Sequence, residues 1–111
     1  MATFRYYRTI TDEEMSDLMS TALKAITYWA DDAKLADKDI NFKGWLSDAI
    51  ALDKAIKIHV MDEPDDVWHI LTLNKVLNGL GQRTSFNPLN YDEVDGDAII
   101  QYALFGELIY G

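Results

Sequence analysis

Within the stretch from Ala55 to Leu71, AIKIHVMDEPDDVWHIL, apolar and polar residues alternate from Ile56 to Val60. Ile56, Ile58 and Val60 interleave with Lys57, His59 and Met61, which is the period-two pattern of a half-buried strand. Val67 to Leu71 is a second run rich in β-branched and aromatic residues. Between them, Asp62-Glu63-Pro64-Asp65-Asp66 turns rather than pairs, because proline removes a ladder donor and the carboxylates repel one another. The stretch is therefore expected to be a β-hairpin with an acidic tip. Folded symmetrically about Pro64, it pairs Met61 with Val67, His59 with His69, Ile58 with Ile70 and Val60 with Trp68. One face then sends Ile56, Ile58, Val60, Trp68 and Ile70 toward a core. The other carries Lys57, His59, Met61, His69 and Leu71. A shift of one residue would exchange the faces of one strand and separate the two histidines.

Elsewhere the apolar period is helical. Met15, Leu18, Met19, Ala22, Leu23 and Ile26 share one face of a helix expected from Asp12 to Thr27. Thr11 and Glu14 have the spacing of a capping box, and Asp12, Glu13 and Glu14 suit the positive end of the helix dipole. A second, short helix fits Trp45 to Leu52. A third follows Thr72 as its cap, with Leu73, Val76, Leu77 and Leu80 in a stripe and Gly79 and Gly81 as its end. The last is capped by Asp92 or Asp95 and is apolar nearly all round from Ala98 to Phe105. Such a helix is either central to the core or half buried in a partner. Gly106 ends it, and Leu108 to Tyr110 suit a final strand. Thr3 to Thr9 reads as a short edge strand or an extended arm. Residues 28–44 give no single reading: Ala33 to Ala36 suit a helical turn, and Ile40 and Phe42 a short strand. Residues 82–91 read as a loop in which Phe86, Leu89 and Tyr91 pack. No linker divides the chain, so residues 1–111 are expected to form one α+β domain. Its antiparallel hairpin, or a sheet of three or four strands, is packed by about four helices.

Charge narrows what such a domain can do. In 111 residues, 19 carboxylates oppose 10 Lys and Arg, for a net charge of −9. Direct contact with nucleic acid or anionic membrane is disfavoured, since neither offers a partner for carboxylates. A basic protein surface is favoured. The absence of cysteine excludes disulfides and thiolate chemistry. No apolar run approaches the ~20 residues of a membrane span. The opening MATFRYYRTI lacks the apolar core of a signal peptide, so a cytoplasmic location is expected.

Catalytic and metal signatures are scarce. No GxGxxG, P-loop, GxSxG or HExxH occurs. Asp92 to Asp97 fails the calcium-loop pattern, because Val94 stands at its third position and Gly96 at its fifth. His59 and His69, paired by the symmetric register, would still need a third ligand such as Asp62 to hold a metal. The carboxylates instead gather in four clusters, Asp12 to Asp17, Asp31 to Asp39, Asp62 to Asp66 and Asp92 to Asp97. Brought to one side, they would form a negative stripe able to compete with DNA phosphates for Lys and Arg.

In size, charge, lack of cysteine and aromatic-rich ends, the chain resembles small acidic phage and mobile-element proteins that inhibit host defence, of the anti-CRISPR and antirestriction DNA-mimic type. The closing IIQYALFGELIYG also looks like the end of small acidic proteins from phages and gut bacteria. The first likeness implies an inhibitor of host defence; the second implies no particular activity. The first expectation is thus a non-enzymatic, cofactor-free protein that occupies a basic, nucleic-acid-binding surface of a partner protein. Asp62, Glu63, Asp65 and Asp66, with Asp31 and Asp32, are its expected carriers. One alternative is a homodimer built on the apolar C-terminal helix. The other is a metal or enzymatic site at the paired histidines.

Overall fold

The computed structural model describes residues 2–4, 8–38, 41–82, 87 and 90–111. It is an α+β fold: a three-stranded antiparallel sheet, a separate two-stranded ribbon, and helices packed around one cluster of buried side chains. In chain order the elements are β1 (Ala2–Phe4), β2 (Arg8–Ile10), α1 (Asp12–Ala25), β3 (Ala30–Leu35), α2 (Leu46–Ala49), β4 (Ile56–Val60), β5 (His69–Leu71), α3 (Leu73–Gln82) and α4 (Glu93–Phe105). β1 and β2 form the ribbon at the start of the chain, where an edge strand or arm was expected. The main sheet runs β3-β4-β5, with β4 central. Ile40, half of one expected strand, and Phe86 and Leu89 lie outside the described residues.

α1 begins as its sequence implies. The Thr11 amide donates to Glu14 Oε1 at 2.9 Å, and the Glu14 amide donates to Thr11 Oγ1 at 3.1 Å. Met15, Leu18, Met19 and Ala22 are buried along its inner face. The helix stops at Ala25 and tightens into a 3-10 turn over Ile26–Tyr28, which turns the chain into β3. α2 is a single turn, shorter than expected, with Asp48 Oδ2 accepting from the Trp45 amide at 3.0 Å.

β3 is the element that the hydrophobic pattern conceals. Ala33 and Leu35 face inward and Asp32 and Lys34 outward, but a bulge between Ala30 and Asp32 breaks the phase. The extra residue, Asp31, puts a run of acids where a strand would show alternation. Pairing with β4 decides the conformation over a poor local preference.

The hairpin register corrects the symmetric one by a single residue. Ile56 pairs with Leu71, Lys57 with Ile70 and Ile58 with His69. Leu71 therefore enters the core beside Ile56, Ile58 and Val60, each at most 1% exposed. Trp68 and Ile70 leave the core, and Ile70 is 40% exposed. The physical reason lies beyond the turn. Burying Leu71 in full is worth roughly 1.5–3 kcal/mol, and α3 follows it directly, so the strand must deliver Leu71 inward. The tip accommodates this with two successive turns, in which the Glu63 amide donates to the Val60 carbonyl and the Val67 amide to the Pro64 carbonyl.

α3 does not end at its glycines. It runs through Gly79 and Gly81 to Gln82, because α4 crosses there at close range. A Cβ on Gly79 would stand 2.4 Å from the Ile99 carbonyl oxygen, and one on Gly96 would stand 3.0 Å from Ala22 Cα. These two glycines let α4 approach α3 and α1 backbone to backbone. Ile99 and Ile100 are fully buried as a result, so the middle of α4 lies inside the fold, while Tyr102 to Phe105 are half-buried. Asp92 caps α4, accepting from the Asp95 amide at 3.1 Å, and Gly106 closes it in the left-handed conformation.

The expected final strand is absent. Residues 106–111 instead fold back and are held by one buried side chain. Gln101, 0% exposed, accepts from the Ile109 and Tyr110 amides through Oε1 and donates through Nε2 to the Tyr110 carbonyl and to Asp97. Asp97 also accepts from Trp29 Nε1 and from the Tyr28 hydroxyl. Burial first, then the bond to Asp97, pushes the Tyr28 pKa up to about 12. Trp29 stacks on Tyr110 at 5.1 Å.

Gly79→Ala should destabilise the protein by roughly 2–4 kcal/mol in denaturant unfolding, since a backbone oxygen must move. Gly106→Ala, strained but unobstructed, should cost only about 1 kcal/mol. Gln101→Leu should cost about 2–4 kcal/mol and raise the solvent exposure of Trp29, read by fluorescence quenching, because two tail amides lose their acceptor.

Candidate acidic face around His59

The outer face of the three-stranded sheet carries the residues that chemistry can use. His59 lies on β4 opposite Asp32 of β3. The bulge adds Asp31, so two aspartates meet one histidine. Bulges re-aim side chains in this way. Asp31 Oδ1 lies 2.6 Å from His59 Nδ1. On the ring's far side, Nε2 lies 3.0 Å from the Pro64 carbonyl oxygen. The ring is 6% exposed, with Trp68 tilted against it at 5.5 Å between centroids.

The charge state of His59 follows from its neighbours. A carboxylate and a carbonyl can only accept hydrogen bonds, so both ring nitrogens must donate. Only the imidazolium does that. The bond to Asp31 above all, and then the bond to Pro64, raises the His59 pKa above its ordinary value, while removal from water works against the charge. His59 is therefore a cationic clamp between β3 and the acidic turn. While protonated, it has no lone pair to offer a metal.

Around the clamp, Asp31, Asp32 and Asp65 join His59 and Trp68 in lining an open depression of about 310 Å³. Asp31 keeps 47% of its side chain exposed despite the bond. Asp32 and Asp65 are exposed. Lys34 and Lys57 place their ammonium groups 4.7 and 4.8 Å from the Trp68 ring centroid, so that ring already carries two cations. What remains open is a set of carboxylate oxygens, held by two chain segments distant in sequence. Such a set can accept hydrogen bonds from Lys or Arg.

Not every expected carrier comes here. Asp62 and Asp66 are exposed on the turn but do not line the depression. Glu63 points the other way and pairs with His69 Nε2. His69 lies on the inner face opposite Ile58, with Phe105 edge-on to its ring. The two histidines are thus on opposite faces of the sheet, and the paired-histidine metal site is corrected by the register. Among the described residues, no group of three or more His, Asp or Glu is placed to hold a metal ion.

The other acidic clusters do not line this depression. Asp12, Glu13, Asp17 and Asp48 border a second depression of about 400 Å³ between α1 and α2. Asp92 and Asp95 cap α4, and Asp97 is turned inward. His59 and Trp68 also line the depression, and sequence reasoning did not single them out as carriers. Their roles depend on β3 lying beside β4, which no local pattern announced. Among the described residues, no helix is long and apolar enough to cross a membrane. No protein-family model, curated protein or solved structure matches the chain.

Because the His59 pKa is raised on folding, the clamp's stabilisation is fully present below about pH 6.5 and is lost as the pH rises through the folded value. An NMR titration of the ring should give a midpoint above 6.5. Asp31→Asn should lower that midpoint and remove the associated fall in stability at higher pH. A wild-type midpoint at or below 6.5 would show that the ring is not held as the cation.

Proposed function

We propose that the chain is a non-enzymatic binding protein that occupies a basic, nucleic-acid-binding surface of a partner protein. In its sharpest form it is a phage-type inhibitor that competes with DNA or RNA for that surface. The observation that carries the reading is the gathering of Asp31, Asp32 and Asp65 on one open face by a buried histidine clamp. A floppy acidic loop would lose conformational freedom on meeting a basic partner. A turn already fastened to the sheet loses less, and preorganisation of this kind raises affinity. Asp62 and Asp66, exposed on the same turn as Asp65, add to its negative charge. The net charge of −9 favours encounter with a cationic surface and speeds association at low salt.

The immobilised protein, exposed to an extract of its source cells, should retain a basic nucleic-acid-binding protein. Competing duplex DNA should release it, as should a rise in salt from ~0.05 to ~0.5 M. Asp62, Asp65 and Asp66 changed together to Asn should weaken retention about tenfold, the sum of three exposed charge contacts of about 0.5 kcal/mol each. Retention indifferent both to salt and to this triple variant would sink the reading.

A further inference from the structure

The main sheet ends in two edges, and they differ. At β5, Ile70 stands opposite Lys57, and its outward carbonyl accepts from Lys75 Nζ at 2.7 Å. A lysine laid along an edge blocks further pairing. At β3 the Ala36 amide donates to the Ala55 carbonyl, which marks Ala36 as pointing toward the β4 side. By the alternation of an antiparallel ladder, Ala33 and Leu35 aim their N–H and C=O groups away from β4. Among the described residues nothing bonds them. A groove of about 240 Å³, lined by Leu23, Ile26, Ala30 and Ala33 with Asp31 and Asp32, runs beside this edge.

We propose that a second copy of the chain closes this edge, the two β3 strands pairing antiparallel about Ala33. The sequence of the strand itself selects the occupant. Pairing about Ala33 sets Asp32 opposite Lys34 of the second copy, and the two-fold axis repeats the pair. Both side chains are exposed on the outer face, and directly opposite residues share a face, so the charges meet. A one-residue slip would lose this match. Ala33 is also one of the residues whose backbone groups point outward, as a hydrogen-bonded central pair requires. Leu35 of the second copy then comes beside the groove. Trp68 keeps Lys57 if Lys34 turns to the second copy.

The assembly stops at two. The bulge at Asp31 twists the edge away beyond the seam, and Lys75 guards the opposite edge. The contact is isologous, so neither copy presents an unused β3. The seam is short and each copy carries −9, so the dimer is weak. It shares Asp32 with the proposed partner-binding face, and the two readings are told apart by Asp62, Asp65 and Asp66, which take no part in the seam.

Sedimentation equilibrium at ~0.15 M salt should show a monomer–dimer equilibrium with a dissociation constant on the order of 10–100 µM. Asp32→Lys and Lys34→Asp, each checked for its fold by circular dichroism, should each weaken the dimer at least ~tenfold by creating like-charge pairs. The double exchange should restore it to within about threefold. A wild type still monomeric at about 1 mM would overturn the proposal, and a monomer that binds a lysine-rich peptide along β3 would assign the edge to another protein's basic segment instead. A dimer indifferent to both single reversals, or one that the double exchange fails to restore, would overturn it too.

Discussion

Ile56, Ile58 and Val60 must all be buried on one side of β4, and the rest of the molecule follows from that demand. A central strand with one fully buried face leaves its neighbours no choice of register, because a slip of one residue would exchange inside for outside. β5 must bring in Leu71, which sends Trp68 and Ile70 out. β3 must bring in Ala33 and Leu35, which sends Asp32 and Lys34 out. His59, lodged between Ile58 and Val60, is forced to the outer face. There it is nearly covered, and a covered imidazole needs partners for both nitrogens. Asp31 and Pro64 supply them. The acidic face is thus a consequence of core packing on the sheet's other side.

The helical half obeys a different constraint. α4 sits between α1 and α3, and it can do so only because glycines remove the side chains at the two closest crossings. Helices usually approach to 8–10 Å between axes, depending on the side chains between them. Close approach here buries Ile99 and Ile100 completely. It also turns Asp97 and Gln101 inward, where a polar network binds the chain end against Trp29. A buried amide with every hydrogen bond met holds a segment firmly, and it takes the place of the ladder that a final strand would have made.

Charge is arranged with the same economy. The acids at the starts of α1 and α4 are spent on caps and helix dipoles. Those on β3 and the hairpin turn are gathered instead, against the repulsion that like charges impose. One buried cation, His59, makes that tolerable for Asp31. Lys34 and Lys57, opposite each other across β3 and β4, sit by the one aromatic ring that can hold both. Opposite signs are thus segregated along one sheet face, the feature on which both binding proposals rest.

Much of this was readable without coordinates. The Thr11–Glu14 capping box, the inner face of α1, the start of α3 at Thr72, the left-handed stop at Gly106 and the two strands of the hairpin are set by neighbours a few residues apart. Short-range chemistry of that kind is carried by the sequence itself. The acidic carriers were also visible as composition, though only Asp31, Asp32 and Asp65 came together. What the sequence could not decide was every choice made by a distant partner. β3 is a strand because β4 lies beside it, and its bulge hid the alternation that would have betrayed it. Gly79 and Gly81 looked like a helix end, yet α4 presses on Gly79. The hairpin register turned on Leu71 and the helix behind it, not on the symmetry of the turn, and one residue of shift parted the histidines. Local hydrogen bonding and period determine which elements form; the shared core determines which faces meet, because only there do residues far apart in the chain compete for the same buried space.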